Sequence, residues 1–204
     1  MIHSRKSHLS RARFGFTLIE LLIVIVIIAI LASLSFQIGS YMLTRARKVV
    51  AGNTASQLGQ AIIAYDMHYN RYPIDSASSG SSGDVGPLDS DGNLMSHLIG
   101  RSDLNPDAEV FYGGKRVEDM DKPKGGLAIE GVSNPPALLD PWVQPGASQG
   151  MTYRVWIDAD LDGKLKDPLT SRTLRLPVLV MSAGPDGKWG SGDDGDAKDN
   201  VKSW

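Results

Sequence analysis

The feature that most constrains this chain is an apolar run from Phe16 to Leu34, which follows a short basic segment. Residues 1–15 contain four Lys or Arg side chains and no acidic one. The run is long enough to cross the roughly 30 Å hydrocarbon core of a bilayer as a helix. Basic flanking residues stay on the cytoplasmic side, so the rest of the chain is predicted to lie across the membrane. No small-residue cleavage site follows Leu34, so the run is expected to remain in the mature protein.

An acidic residue, Glu20, lies inside this apolar run and requires a partner. A carboxylate near the membrane edge costs about 1–3 kcal/mol, and such residues are usually functional. The run contains no Lys or Arg that could pair with it. Cleavage after Gly15 would place the new α-amine of Phe16 about one helical turn from Glu20. In a polymer of staggered copies, the amine of one subunit can neutralise Glu20 of another. A plain signal anchor leaves Glu20 unexplained.

The segment Gly15-Phe16-Thr17-Leu18-Ile19-Glu20 resembles the prepilin signature of type IV pilins and type II secretion pseudopilins. The resemblance implies cleavage between Gly15 and Phe16 by prepilin peptidase, and N-methylation of Phe16. It also implies that Glu20 acts in assembly, and that the chain polymerises with copies of itself, with minor pseudopilins and with an inner-membrane assembly platform. One departure is the absence of a helix-bending proline about Ser35–Ile38, where many relatives carry one.

The helical pattern continues beyond the apolar run until Tyr72-Pro73 interrupts it. We therefore expect one helix from Phe16 to Asn70 and an α+β fold, in which the hydrophobic first half protrudes and the second half packs on a small antiparallel β-sheet. The predicted ranges are a leader at 1–15, a transmembrane and polymerisation helix at 16–38, an amphipathic second half at 39–73, a variable loop region at 74–139, and the sheet with a C-terminal calcium-binding loop at 140–204.

After the long helix, the composition separates loops from strands. Turn-forming residues dominate Ser76–Gly92, whereas β-branched or aromatic residues dominate Gly150–Ile157 and Thr173–Met181. The predicted elements are a loop at Ser76–Gly92, a short helix at Leu94–Ile99, a short strand at Val110–Tyr112, and strands within Gly150–Ile157 and Thr173–Met181, the last split or placed on an edge by Pro177.

The C-terminal loop is rich in aspartate and glycine, a composition that suits calcium but also a solvated acidic turn. On composition alone the acidic turn is favoured. The order of Asp140-Pro-Trp, Ser182-Ala-Gly-Pro-Asp-Gly, an Asp-Asp pair and Trp204 resembles the major pseudopilins, which bind calcium in this loop. The resemblance implies Asp186, Asp193 and Asp194 as ligands. Because Gly195–Lys198 intervenes before the C-terminal segment, Asp199 and Asn200 remain an alternative register.

A second acidic segment, Asp158-Ala-Asp160-Leu-Asp162-Gly163, resembles the first half of an EF-hand loop. Its twelfth position is Leu169 instead of the bidentate glutamate that an EF-hand requires. A β-hairpin turn with Asp162-Gly163 at its tip is therefore the favoured interpretation. Asp158, Asp160 and Asp162 stay as a weak second metal candidate.

The sequence contains no cysteine and no recognisable catalytic motif, so we expect no enzymatic activity. The formal net charge of -2 gives no sign of a nucleic-acid partner. The predicted function is that of a structural subunit of a type II secretion pseudopilus, which supports export across the outer membrane. The subunit would cross the inner membrane once with its body in the periplasm, and would then enter a periplasmic filament. The alternatives are a type IV pilus subunit, whose usual disulfide this chain cannot form, and a signal-anchored periplasmic calcium-binding protein.

Overall fold

The computed structural model describes residues 16–75, 83–119, 123–129, 135–143, 152–190 and 198–204, with the backbone alone at 34–40. The predicted leader at 1–15 lies outside these residues. The chain divides into two compact units, Met1–Leu43 and Thr44–Trp204. The architecture is α+β, with a long N-terminal helix and an antiparallel sheet, as predicted.

Helix α1 covers Leu18–Tyr69, a length of 52 residues. It ends where Asn70 adopts a left-handed backbone with φ of 52°. The Asn70 N–H still donates to the Asp66 carbonyl at 2.7 Å, and Pro73 follows. Asparagine tolerates this conformation better than most residues, and proline cannot continue a helix. The predicted helix from Phe16 to Asn70 is confirmed.

In the first unit, every described side chain between Phe16 and Ser33 is exposed. Its large apolar side chains are exposed too, with exposed fractions that range from 88 % at Leu18 to 45 % at Val24. A helix that is apolar on all sides is normally covered by protein or lipid. Among the described residues, no helical stretch combines the length and the apolar character that crossing a membrane requires. The predicted span at 16–38 includes residues 34–38, whose side chains lie outside those described.

The second unit contains the sheet and a short helix. Its main sheet has four antiparallel strands in the order β1-β4-β7-β8. Two further pairs, β2 with β3 and β5 with β6, form separate two-stranded sheets. The elements are β1 Val85–Asp89, α2 Gly92–Leu98, β2 Gly126–Ala128, β3 Ala137–Leu139, β4 Arg154–Ile157, β5 Leu165–Lys166, β6 Thr173–Leu174, β7 Val178–Ser182 and β8 Val201–Lys202.

The core of this unit lies between the second half of α1 and the main sheet. Apolar side chains on α1 recur every three or four residues, so they share one face of the helix. Small residues let the backbone approach the strands, since a Cβ at Gly59 would lie 3.7 Å from Val180. The buried face of α1 comprises Ala55, Leu58, Ala61, Ile62 and Tyr65, and the sheet contributes Val155, Ile157, Val178 and Val180.

Two local differences separate the structure from the prediction, and a third feature agrees with it. Strand β1 lies inside the segment that was predicted as a loop, because Pro87 is tolerated at the edge of a sheet. The strand predicted at Val110–Tyr112 is wrong, since the N–H groups of Phe111 and Tyr112 both donate to the Leu98 carbonyl instead of to a neighbouring strand. Pro177 does separate β6 from β7, as expected.

Candidate functional site

The start of α1 is organised by Thr17 and Glu20, which form a capping box. Glu20 Oε2 accepts the Thr17 N–H at 2.8 Å and the Thr17 hydroxyl at 2.7 Å. The Glu20 N–H donates back to Thr17 Oγ1 at 3.3 Å. Such reciprocal bonds satisfy N–H groups that have no partner at a helix N-terminus. Sequence analysis missed this role, although the Thr-x-x-Glu spacing signals it.

Glu20 therefore has a local hydrogen-bonding role inside an apolar and exposed helix. Phe16, the predicted methylation site, lies just before α1 and is 79 % exposed. Gly15, on the other side of the predicted cleavage site, lies outside the described residues. Phe16 is thus exposed immediately before a capped helix.

The C-terminal loop brings Asp186 next to Asp199. The two segments approach so closely that any side chain at Gly184 would collide with the Asp199 carbonyl. Asp199 Oδ1 is buried and has no hydrogen-bond partner. Burial, and then the nearby Asp186 carboxylate, raise the pKa of Asp199. Both effects penalise the negative charge, and a hydrogen bond from the Asp186 N–H and the charge of Lys48 offset them only in part.

Asn200 lies in the same loop. Its side-chain amide nitrogen donates to the Ala183 carbonyl at 2.8 Å and to the Lys188 carbonyl at 3.1 Å. These two hydrogen bonds hold Asn200 against the turn that contains Asp186.

The residues of the alternative calcium register thus lie together with Asp186. Asp193 and Asp194, the pair that the family resemblance implies as ligands, lie outside the described residues. Calcium prefers six to eight oxygen ligands from carboxylates, amides and backbone carbonyls, at about 2.3–2.6 Å. Asp186, Asp199 and Asn200 supply ligands of that type, and the buried Asp199 oxygen is free of any hydrogen-bond partner.

The second acidic segment gains a member that the sequence analysis missed. Carboxylate oxygens of Asp84, Asp158 and Asp160 all lie within 4.8 Å of one another. Asp84 directly precedes β1, and the pairing of Val85 with Ile157 brings it beside Asp158. Only the register between β1 and β4 reveals this neighbour. Burial raises the pKa of Asp84 and of Asp158, and the neighbouring aspartates raise both further.

The segment from Asp158 to Lys164 is a hydrogen-bonded loop, and the predicted hairpin is wrong. Strand β5 pairs with β6, whereas β4 pairs with β1 and β7. The Asp158 carboxylate accepts the N–H groups of Asp162 and Gly163, at 3.1 and 2.8 Å. Asp162 accepts the Lys164 N–H and belongs to no three-carboxylate group among the described residues.

Comparison with known proteins identifies the N-terminal segment. Residues 10–36 match a family described as the prokaryotic N-terminal methylation motif. No curated protein and no solved structure shows a significant match to the chain. The motif indicates a membrane-anchored precursor of the pilin-like type. The chain therefore carries the signature of type IV pilin-like proteins of the prepilin type, a class that includes the pseudopilins.

Proposed function

We propose that this protein is a structural subunit of a type II secretion pseudopilus. In this proposal, prepilin peptidase cleaves after Gly15, and Phe16 becomes the methylated N-terminus. Before assembly, the subunit is anchored in the inner membrane with its body in the periplasm. An assembly platform then transfers it into a periplasmic filament with copies of itself and with minor pseudopilins.

The observation that carries the proposal is the acid in the apolar helix within the methylation motif. Large apolar side chains surround Glu20 on every side of α1, and all of them are exposed in the isolated chain. Once the helix leaves the bilayer, burial of its apolar surface is worth about 25 cal/mol per Å², so packing against other copies stabilises it there. A buried Glu20 then needs a cation, and a free amine at Phe16 supplies one.

Calcium in the C-terminal loop is the second part of the proposal. Asp186, Asp199 and Asn200 would hold the ion. The partnerless oxygen of Asp199 and the nearby Asp186 carboxylate support this part of the proposal. Because only the folded loop gathers these ligands, calcium binding would stabilise the fold. The cluster of Asp84, Asp158 and Asp160 stays a weaker candidate.

A type IV pilus subunit is the alternative within the same class. Pilins commonly close their C-terminal region with a disulfide, and this chain has no cysteine. A calcium-binding loop would replace that covalent link, which favours a pseudopilin. A signal-anchored periplasmic calcium-binding protein would share the aspartate loops but would give Glu20 only its capping role.

The test is to replace Glu20 and follow filament formation in cells that express the secretion system. Glu20→Ala is expected to reach the membrane at the normal level and to form no filaments. Glu118→Ala, which removes an exposed acid in the second unit, serves as the matched control. Thr17→Val breaks the capping box without removing the charge, so it separates helix capping from charge pairing. Normal filaments with Glu20→Ala would refute the proposed assembly role.

A further inference from the structure

An acidic cavity lies beside the C-terminal end of α1, away from the loops described above. It has a volume of about 220 Å³ and is bordered by three stretches of chain, at residues 73–75, 88–91 and 93–97. Asp75, Asp89 and Asp91 all line it, together with one histidine, His97. Neither the proposed assembly helix nor the proposed calcium loop uses these residues.

His97 is the residue that distinguishes this cavity from an ordinary acidic patch. Its side chain lies on α2 and is only 4 % exposed. Nε2 is buried and has no hydrogen-bond partner, although it lies 3.4 Å from Asp75 Oδ1. A buried nitrogen that faces a carboxylate without a hydrogen bond is a costly arrangement for a fold to maintain.

Both groups are held in place by neighbours. His97 Nδ1 contacts Ser102 Oγ at 2.5 Å, and when Ser102 accepts the Nδ1 proton, the lone pair of Nε2 faces the cavity. Asn93 donates to the other oxygen of Asp75, also at 2.5 Å, which leaves Oδ1 directed at His97. Metal-binding histidines are oriented in this way, since the nitrogen that does not bind the metal donates to an oxygen.

The separation of the two atoms also suits a metal ion. Zinc binds histidine nitrogen and carboxylate oxygen at about 2.1 Å, so two ligands of a tetrahedral zinc ion lie about 3.4 Å apart. The distance between Nε2 and Oδ1 has that value. Mixed nitrogen and oxygen ligands favour zinc and related transition metals over calcium, which prefers oxygen alone.

We propose that His97 and Asp75 form a binding site for a divalent transition-metal ion of the zinc class. Water molecules complete the coordination, and the carboxylates of Asp89 and Asp91, which line the same cavity, balance the charge of the ion. The ion joins the segment that follows α1 to helix α2, and so acts as a clamp in a chain that has no cysteine. The site does not depend on the proposed function, because it lies within the second unit.

The test is a titration of the full chain in detergent micelles with Zn²⁺, in the presence of saturating calcium so that the C-terminal loop does not compete. Isothermal titration calorimetry measures the affinity, and ¹⁵N NMR of the imidazole nitrogens reports which nitrogen binds. We expect one zinc ion, with a large shift at His97 Nε2 and a retained proton on Nδ1. Asp75→Asn and His97→Gln should abolish this binding, and Ser102→Ala should weaken it about 10- to 100-fold.

His68 and Asp107 provide the matched control, because their side chains pair at 3.3 Å in an exposed position outside the cavity. His68→Gln should leave zinc binding unchanged. If His97→Gln does not fold, the Asp75→Asn variant still tests the proposal, because the Asp75 side chain is partly exposed at the rim of the cavity. Unchanged zinc affinity in Asp75→Asn, or loss of binding in His68→Gln, would overturn the proposal.

Discussion

Ser182 Oγ donates a hydrogen bond to Asp140 Oδ2 in the interior of the second unit, although the two residues are 42 positions apart. Both are fully buried. Asp140 Oδ1 also accepts the Trp142 N–H at 2.8 Å, and Ser182 Oγ accepts the Gly184 N–H at 3.1 Å. One buried carboxyl group thus connects the Asp-Pro-Trp segment to the first turn of the C-terminal loop.

This connection predicts an unusual dependence of stability on pH. Burial raises the pKa of Asp140 to about 6, against an ordinary value of 3.8, although its hydrogen bonds partly oppose the shift. Between these two values the folded state binds more protons than the unfolded state. Asp140 therefore stabilises the folded state most below pH 3.8. Up to about 3 kcal/mol of this stabilisation is lost as the pH rises through about 6.

Asp140→Asn removes this titration. The free energy of unfolding of the variant, relative to the wild type, should rise by up to about 3 kcal/mol between about pH 4 and about pH 7.5. Urea unfolding of both proteins at several pH values measures the difference. Asp103→Asn, at an exposed position, serves as the matched control for the substitution itself. A constant difference between Asp140→Asn and the wild type would contradict the assignment.

The packing of α1 on the sheet predicts a large effect at Leu58. This side chain is fully buried in the core cluster, so Leu58→Ala should lower the free energy of unfolding by about 2–5 kcal/mol. Met67→Ala, on the same helix but 82 % exposed, should change it by less than about 0.5 kcal/mol. Denaturant unfolding of the two variants provides the comparison. Equal effects would mean that the second half of α1 does not pack on the sheet.

The calcium proposal predicts a thermal response that depends on particular residues. At a calcium concentration of about 100 times the dissociation constant, the free energy of unfolding should increase by about 2.7 kcal/mol. Asp186→Asn and Asp199→Asn should remove most of this increase, and Asp160→Asn should retain it. Differential scanning calorimetry with calcium and with chelator measures the response.

The same experiment decides between the two ligand registers. A lost response in Asp199→Asn together with a normal one in Asp193→Asn and Asp194→Asn would favour Asp199 and Asn200. The opposite pattern would favour the Asp-Asp pair. An unchanged melting temperature in the wild type on adding calcium would refute the metal site altogether.

Features that depend on local pattern were predictable from the sequence. The length of α1 follows from its apolar periodicity and from the stop at Tyr72-Pro73, and α2 from its apolar spacing. The division between β6 and β7 follows from Pro177. Thr17 and Glu20 could also have been identified as a capping box, because that motif depends only on local spacing.

Features that depend on pairing between distant segments were not predictable. Asp84 joins Asp158 and Asp160 only because β1 pairs with β4 in one particular register. In the same way, His97 meets Asp75 only after α2 folds back beside the end of α1. The partnerless oxygen of Asp199 depends on how closely its segment approaches Gly184. The periodicity of one sequence does not reveal which residues of two distant segments come into contact.

The most direct test of the assembly account is the mass of the mature N-terminus. Intact-protein and N-terminal peptide mass spectrometry should be applied to protein from cells with an active prepilin peptidase. The account predicts a chain that begins at Phe16 and carries one methyl group on its amine. A chain from the same cells that still begins at Met1 would contradict it, because Glu20 would then lack the amine with which it is proposed to pair.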